Sequence, residues 1–370
     1  MPTSSPPPPS TPAPPAPPVA LRAVPVALTS LAWLSLVGAR AFPQIGEALV
    51  GLAVATWVPL GLAVIGARDE RDRHPPAAIA TLARRLVVVA SPLGVASFTF
   101  PPGRFAAALA SAWLVATLGV AAAGLARLAR RGPRPIEETA IDVGQLYLPV
   151  GAAWLVASRG ALEPLGFHEP IVLYTSAHFH FAGFAAPVIA GLLGRDLGVS
   201  AAPGAARRRG AGTAVRRAHA LATLVVLAGV PLVAAGITLS RRLESPAALL
   251  LGAGMLVISA LLALAGLRRL LGRAAVPEGA RGSLRARLSG ALLIVASLSL
   301  VGSMNLAVAF ALTGSAGRGA GPSRGLISYS AMATYHGVAN AIGFAGCALL
   351  AYALAAPERH ATRGEAGPVE

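Results

Sequence analysis

The stretch IVLYTSAHFHFAGFAAPVIAGLLG, residues 171–194, runs for 24 residues without a charged side chain. At 1.5 Å per residue such a run reaches roughly 36 Å as a helix, enough to cross the roughly 30 Å hydrocarbon core of a bilayer. Backbone polar groups in hydrocarbon have to be satisfied internally, so an apolar run of this length reads as a spanning helix. Similar runs recur along the chain. The candidate spans are 19–38, 45–65, 86–100 (with a start as early as Ala77), 105–126, 136–158, 171–193, 218–239, 246–267, 288–313 and 328–356. The expected fold class is an all-α polytopic transmembrane bundle of about ten spans, a single helical domain over 19–356.

Composition supports the same reading. Of 370 residues 55% are hydrophobic and 12% charged, with a mean hydropathy of +0.66. Soluble domains carry roughly 25% charged residues. A net charge of +16 in a soluble protein points to nucleic acid. Here every basic Lys/Arg position is arginine, and the arginines stand between apolar runs rather than on one face, so the expected partner is the lipid bilayer and not nucleic acid. The one cysteine, Cys347, excludes an internal disulfide and a CxxC pair. Inside an apolar run it reads as a small buried hydrophobe.

Residues 1–18 hold ten prolines, which lack the amide donor and cannot pack a core. This stretch is expected to be a disordered tail, and 357–370 a short C-terminal one. The start lacks the basic segment and cleavage site of a signal peptide, so the first run is expected to remain as an anchor. Arginine placement tests the division into spans. The segments sharing a side with the N-terminus hold 24 of the 31 arginines and the other connections hold 7. Cationic loops resist translocation, so both termini are expected on the cytoplasmic side, which needs an even number of spans.

Ionisable residues within apolar runs are expensive and mark candidate sites. In the sixth span, His178 and His180 stand among Phe179, Phe181 and Phe184. Positions i and i+2 lie about 200° apart on a regular helix, so the two imidazoles point to opposite sides unless the helix is broken. One is expected to face a cavity and the other a neighbouring helix. In the tenth span Tyr329, Met332, His336, Asn340, Gly343 and Cys347 recur at intervals of three or four, along one face. In the fifth, Glu138, Asp142 and Gln145 share a face. Glu138, close behind Arg130, Arg131 and Arg134, reads as an interfacial first-turn acid favoured by the helix dipole. Asp142 lies deeper. Counted from the outer ends at 1.5 Å per residue, His178, His180, His336 and Asn305 share a layer roughly 10–14 Å deep. Asp142 lies roughly 24 Å down, with Tyr147 and Gln145 between.

The run Glu138, Asp142, Gly144, Tyr147, Gly151 and Trp154, then Leu165-Gly166-Phe167 and AHFHFAGFAAPVIAG (177–191), resembles the signature of the YndJ-like family of bacterial multipass membrane proteins. HGVANAIGF (336–344) resembles that family's C-terminal histidine motif. The likeness covers roughly 136–195 and 329–344. It implies a multipass protein of a bacterial cytoplasmic (inner) membrane and implies no reaction.

Three functions fit these residues. The first is a metal ion or a non-covalent haem held by His178, His180 and His336, since imidazole suits Zn, Cu and Fe and haem takes axial histidines. The second is a proton-coupled transporter using the same histidines with Glu138 and Asp142. The third is a membrane scaffold in which the polar residues only join helices. Asn340, Asn305 and Tyr147 complete the candidate set.

Overall fold

A computed structural model describes residues 19–71, 78–199, 212–239, 241–273, 283–313 and 327–355, and the structural statements below concern these residues. The tails 1–18 and 357–370 lie outside them. The described chain forms ten helices and no strand: α1 (Val19–Gly38), α2 (45–71), α3 (Ala78–Thr99), α4 (Arg104–Arg131), α5 (Ile136–Arg159), α6 (Ile171–Leu197), α7 (Thr213–Leu239), α8 (Arg241–Leu270), α9 (Leu284–Thr313) and α10 (329–354). Nine segments, within α2 to α10, are long and apolar enough to cross a membrane. In α1 the apolar segment is the shorter Val24–Gly38.

The helices agree with the hydrophobic runs except at their ends. The third begins at Ala78, at the earlier start near Ala77 that the sequence allowed rather than at Leu86. Arg84 and Arg85 do not stop it, because Arg84 donates to Thr81 Oγ1 at 3.4 Å and lies along α2 where Gly66 has no side chain. Long arginine stems lie on apolar surface while the charge reaches the interface. The eighth begins at Arg241 rather than Pro246 and carries Pro246 inside it.

Chain neighbours pack in sequence, α3 on α4, α4 on α5, α5 on α6, α7 on α8, α8 on α9 and α9 on α10. Two helices form the centre. In α2 and α6, 78% of the apolar window is buried, against 33% in α3, α4, α7 and α9. Helix α6 touches α2, α5, α7, α8 and α10. The outer helices turn large apolar groups outward, among them Val115, Leu118 and Leu125 of α4, Leu221 and Leu224 of α7, and Val295 and Leu298 of α9. In water such a surface is unfavourable; in hydrocarbon it is the wetted face.

Three helices leave the regular i→i+4 pattern. Widened π-helical turns occupy Ala53–Trp57 in α2, Phe179–Ala185 in α6, and Met332–Gly337 and Ala339–Gly346 in α10. Such turns are common at functional sites. In α2 the Val54 carbonyl is also taken by the Ser91 hydroxyl at 2.7 Å, a partner supplied by α3.

Candidate functional site

The connection 160–170 and the mouth of the site lie at the end of the bundle where arginines are few. The opposite end carries most of them.

A cavity of about 570 Å³ opens among α6, α7, α8, α9 and α10 at the Arg-poor end. It runs from Gly166 and Glu169 down past His178 and Ala182 to Ala186. From Ile171 to Ala186 that is roughly 22 Å of helix rise. A side pocket of about 140 Å³, walled partly by Leu49, Tyr174 and His336, extends it toward α2. A mainly apolar cavity of this size with a few polar groups is the usual form of a small-molecule site.

His178 lines this cavity. The widened turn of α6 begins at the next residue, Phe179, whose ring meets the imidazole edge-on at 5.6 Å. The Nε2 atom of His178 is buried and has no hydrogen-bond partner among the described residues. Such atoms are rare in folded proteins and call for a physical account.

His336 lines the same cavity from α10. Its Nδ1 lies 2.8 Å from the Ser303 carbonyl on α9, and since a carbonyl only accepts, Nδ1 carries the proton. Asn340 Nδ2 lies 3.2 Å from His336 Nε2 and 3.0 Å from the His336 carbonyl. Asn340 Oδ1 accepts from Ser303 Oγ at 3.2 Å. This ring of contacts fixes the imidazole against α9.

His180 faces the other way. Trp113 on α4 donates through Nε1 to His180 Nε2 at 3.0 Å, and the rings stack at 6.2 Å. An indole only donates, so His180 is neutral with its proton on Nδ1, which donates to the Ser176 carbonyl at 2.8 Å. Both ring nitrogens are engaged in a fully buried setting. A side chain on Gly151 would come within 2.8 Å of that Nδ1, so glycine there lets α5 close on the ring. Replacing Trp113 by Phe strands the acceptor. It is expected to cost about 1–3 kcal/mol in a melting experiment while leaving the cavity unchanged.

The other sequence candidates are dispersed. Asn305 is exposed on α9 and donates back to its own helix at the Val301 carbonyl, 2.8 Å away. Tyr147 ties α5 to α7 by donating to the Leu227 carbonyl at 2.8 Å, and its ring meets Phe179 at 6.3 Å. Glu138 and Asp142 sit at the Arg-rich end in a cluster of charges. Arg195 of α6 grips both oxygens of Glu138 at 2.5 and 2.6 Å, and Arg127 of α4 reaches Glu138 at 2.6 Å. Asp142, with no side-chain exposure, pairs with Arg127 at 3.1 Å and Arg131 at 2.9 Å. These acids join three helices and lie away from the cavity wall. Among the described residues no three of His, Cys, Asp and Glu are grouped to hold a metal ion.

Several polar residues outside the sequence candidates matter here. Arg127 and Arg195 complete the ion cluster, and their ends of α4 and α6 fall on one side of the bundle, which the arginine alternation already implied. Arg159, almost fully buried, pairs with Glu47 at 3.2 Å, donates to the Phe100 carbonyl at 2.6 Å and stands over the Phe98 ring at 5.1 Å. Arg269 pairs with Asp196 at 2.9 Å, touches Ser289 Oγ and covers Tyr352. His219 is buried with Nε2 2.8 Å from the Ala190 carbonyl of α6.

Comparison with known proteins gives one family. A family profile described as "YndJ-like protein" matches residues 48–344. A relative from Bacillus subtilis (strain 168), named "Uncharacterized membrane protein YndJ", is 32% identical over 132 residues, which cover 36% of this chain and 21% of that protein. The alignment therefore spans about a fifth of the relative's length. No solved structure matches the chain.

Proposed function

The chain belongs to the YndJ-like family, and for this member we propose a membrane protein that binds a small, largely apolar molecule in the cavity between α6 and α10. The observation that carries the reading is the cavity itself, about 570 Å³ and mainly apolar, with two imidazole side chains from separate helices, His178 and His336, among its lining residues. A ligand with one polar head bonds to an imidazole of this wall and fills the apolar remainder. His336, held by Ser303 and Asn340, offers a second fixed imidazole in the same cavity. The arginine distribution supports placing the cavity mouth on the outer side of a bacterial cytoplasmic membrane, with both termini inside.

The test is photolabelling of the purified chain with a diazirine-bearing long-chain alcohol, followed by peptide mapping. Label is expected on the peptides that contain Ala182, Ala307 and Gly337. Met255→Trp, which fills the cavity, is expected to abolish it. His178→Phe is expected to weaken apparent affinity about two- to tenfold, the loss of one hydrogen bond. Label spread evenly over the lipid-facing helices, unmoved by Met255→Trp, contradicts the reading.

A second reading has an observation of its own. Two imidazoles from separate helices line one apolar cavity with aromatic walls, the arrangement a non-covalent haem uses for axial ligation. His180 is not available for it, since both its nitrogens are engaged outside the cavity wall, and His336 has to release the Asn340 contact at Nε2 to serve as a ligand. An absorbance scan of protein purified with added haem decides this: a Soret band lost in His178→Phe and His336→Phe favours haem, and its absence in the wild type removes the reading.

A further inference from the structure

The cavity has a closed inner end, and four helices make it at one level. Its innermost lining residues are Ala186 of α6, Val226 of α7, Met255 of α8 and Phe344 of α10. Counted from the helix ends nearest the mouth, each lies roughly 20–22 Å in. None is more than 4% exposed. One turn further in, Ala190, Ala222, Ile258 and Ala348 are buried as well and do not line the space. The cavity therefore ends on packed apolar side chains.

Polarity is divided along the same axis. The polar side chains of the described lining fall in the outer part: those of 168–178 before and along α6, Glu244 of α8, and His336 and Asn340 of α10. Further in than Asn340 the described lining carries no polar side chain. Spread over this depth, about 570 Å³ makes a shaft and not a round chamber. An apolar end of this kind does not hold water, and its walls lack contact atoms on one side. A hydrocarbon chain supplies those contacts and breaks no hydrogen bond in doing so.

We propose that the cavity takes a single-chain amphiphile, one unbranched hydrocarbon chain with a polar head at one end, lying head outward with the end of its chain on the closed floor. The inference rests on the reading of this cavity as a ligand site and adds the ligand's shape and direction. The outer polar groups, His178 and His336 among them, meet the head, and the small side chains of Ala182 and Ala186 leave room for the chain along α6. A molecule reversed in the shaft puts its head against Phe344 and Met255, where no side chain bonds to it. A branched molecule of equal volume overfills the width of the shaft.

The test uses the full chain in detergent micelles and two long-chain primary alcohols of one length, with a diazirine beside the hydroxyl in one and near the last carbon in the other. Photolabelling is mapped to single residues. The terminal diazirine is expected on Ala186, Met255 and Phe344, and the head-side diazirine on Thr175, Ala311 and Met332. An isomeric alcohol of the same formula with its hydroxyl in mid-chain is expected to compete about tenfold more weakly than the primary alcohol, the scale of an overpacked core. In Ala186→Phe, which raises the floor, the terminal label at Met255 and Phe344 is expected to fall at least about fivefold. The wild-type comparisons need no variant, so an Ala186→Phe protein that fails to fold leaves the test intact. The same residues labelled by both probes, or a terminal probe found in the outer part, overturns the proposal. So does equal competition by the mid-chain isomer, or an unchanged terminal label in folded Ala186→Phe. If that happens while Met255→Trp still abolishes the label, only the shape and direction are wrong. If no probe labels the cavity at all, the ligand-site reading falls with it.

Discussion

Replacing Glu138 by Ala is expected to cost the protein about 3–5 kcal/mol of stability, the usual penalty for removing one partner from a buried ion pair. Three guanidiniums and two carboxylates meet at the Arg-rich end of α4, α5 and α6. Glu138 is the centre, holding Arg195 through both oxygens and Arg127 through one. Side-chain exposure is 12% for Arg195 and 18% for Glu138, so neither charge is well solvated. Without Glu138, Arg195 has lost its bidentate acceptor while remaining between packed helices, and Arg127 has lost one of its carboxylate partners. Removing both charges relieves this. The double variant Glu138→Ala with Arg195→Ala is therefore expected to be more stable than the sum of the two single changes predicts, by about 0.5–3 kcal/mol. Denaturant or thermal unfolding in detergent measures both. A single-variant loss below about 1 kcal/mol, the value for exposed pairs, contradicts this account of the cluster.

Gly191→Ala is the second large effect. On α6 a Cβ at this position would collide with the Glu137 carbonyl oxygen and lie 2.6 Å from Ile141 Cγ1 of α5. The first obstacle is backbone and cannot rotate aside, so α5 and α6 have to separate. Close approach through small residues is what drives helix association in hydrocarbon. The expected cost is about 1–3 kcal/mol, as for overpacking a filled core. Gly302 of α9 is the control, since nothing lies within 4 Å of a Cβ there. Gly302→Ala is expected to be neutral or to stabilise by up to about 1 kcal/mol through helix propensity alone. Equal melting shifts for the two variants contradict the contact argument.

These two sites show which features were legible in the sequence. The helices were, because an apolar run of about 20 residues has one solution in a bilayer. Their ends were less so: Arg241 lies beyond the apolar run that began at Pro246, and arginine stems extend a helix past the point where hydropathy falls. The angular separation of His178 and His180 was legible from helix geometry alone. Which of the two faces the cavity was not, because it depends on Trp113, a residue 67 positions away from His180. Depth arithmetic placed Asn305 level with the histidines, but depth says nothing of azimuth, and Asn305 points out of the bundle. Asp142 and Glu138 looked like one interfacial acid and one buried one. Their shared arginines come from α4 and α6, and only lateral packing reveals that. The widened turns in α6 and α10 have no signature in periodicity, since one extra residue per turn merely shifts the phase.

The central claim is that a ligand-accessible cavity lies between α6 and α9 in the half of the bundle holding His178 and His336. Thiol accessibility tests it most directly. In a Cys347→Ala background, single cysteines at Ala182 and Ala307 face the cavity, while Ala185 and Ala296 are packed at 1% and 0% exposure. With a small polar methanethiosulfonate added to membrane vesicles, Ala182→Cys and Ala307→Cys are expected to react and Ala185→Cys and Ala296→Cys to stay unmodified. Four unreactive positions, or four that react alike, contradict the cavity.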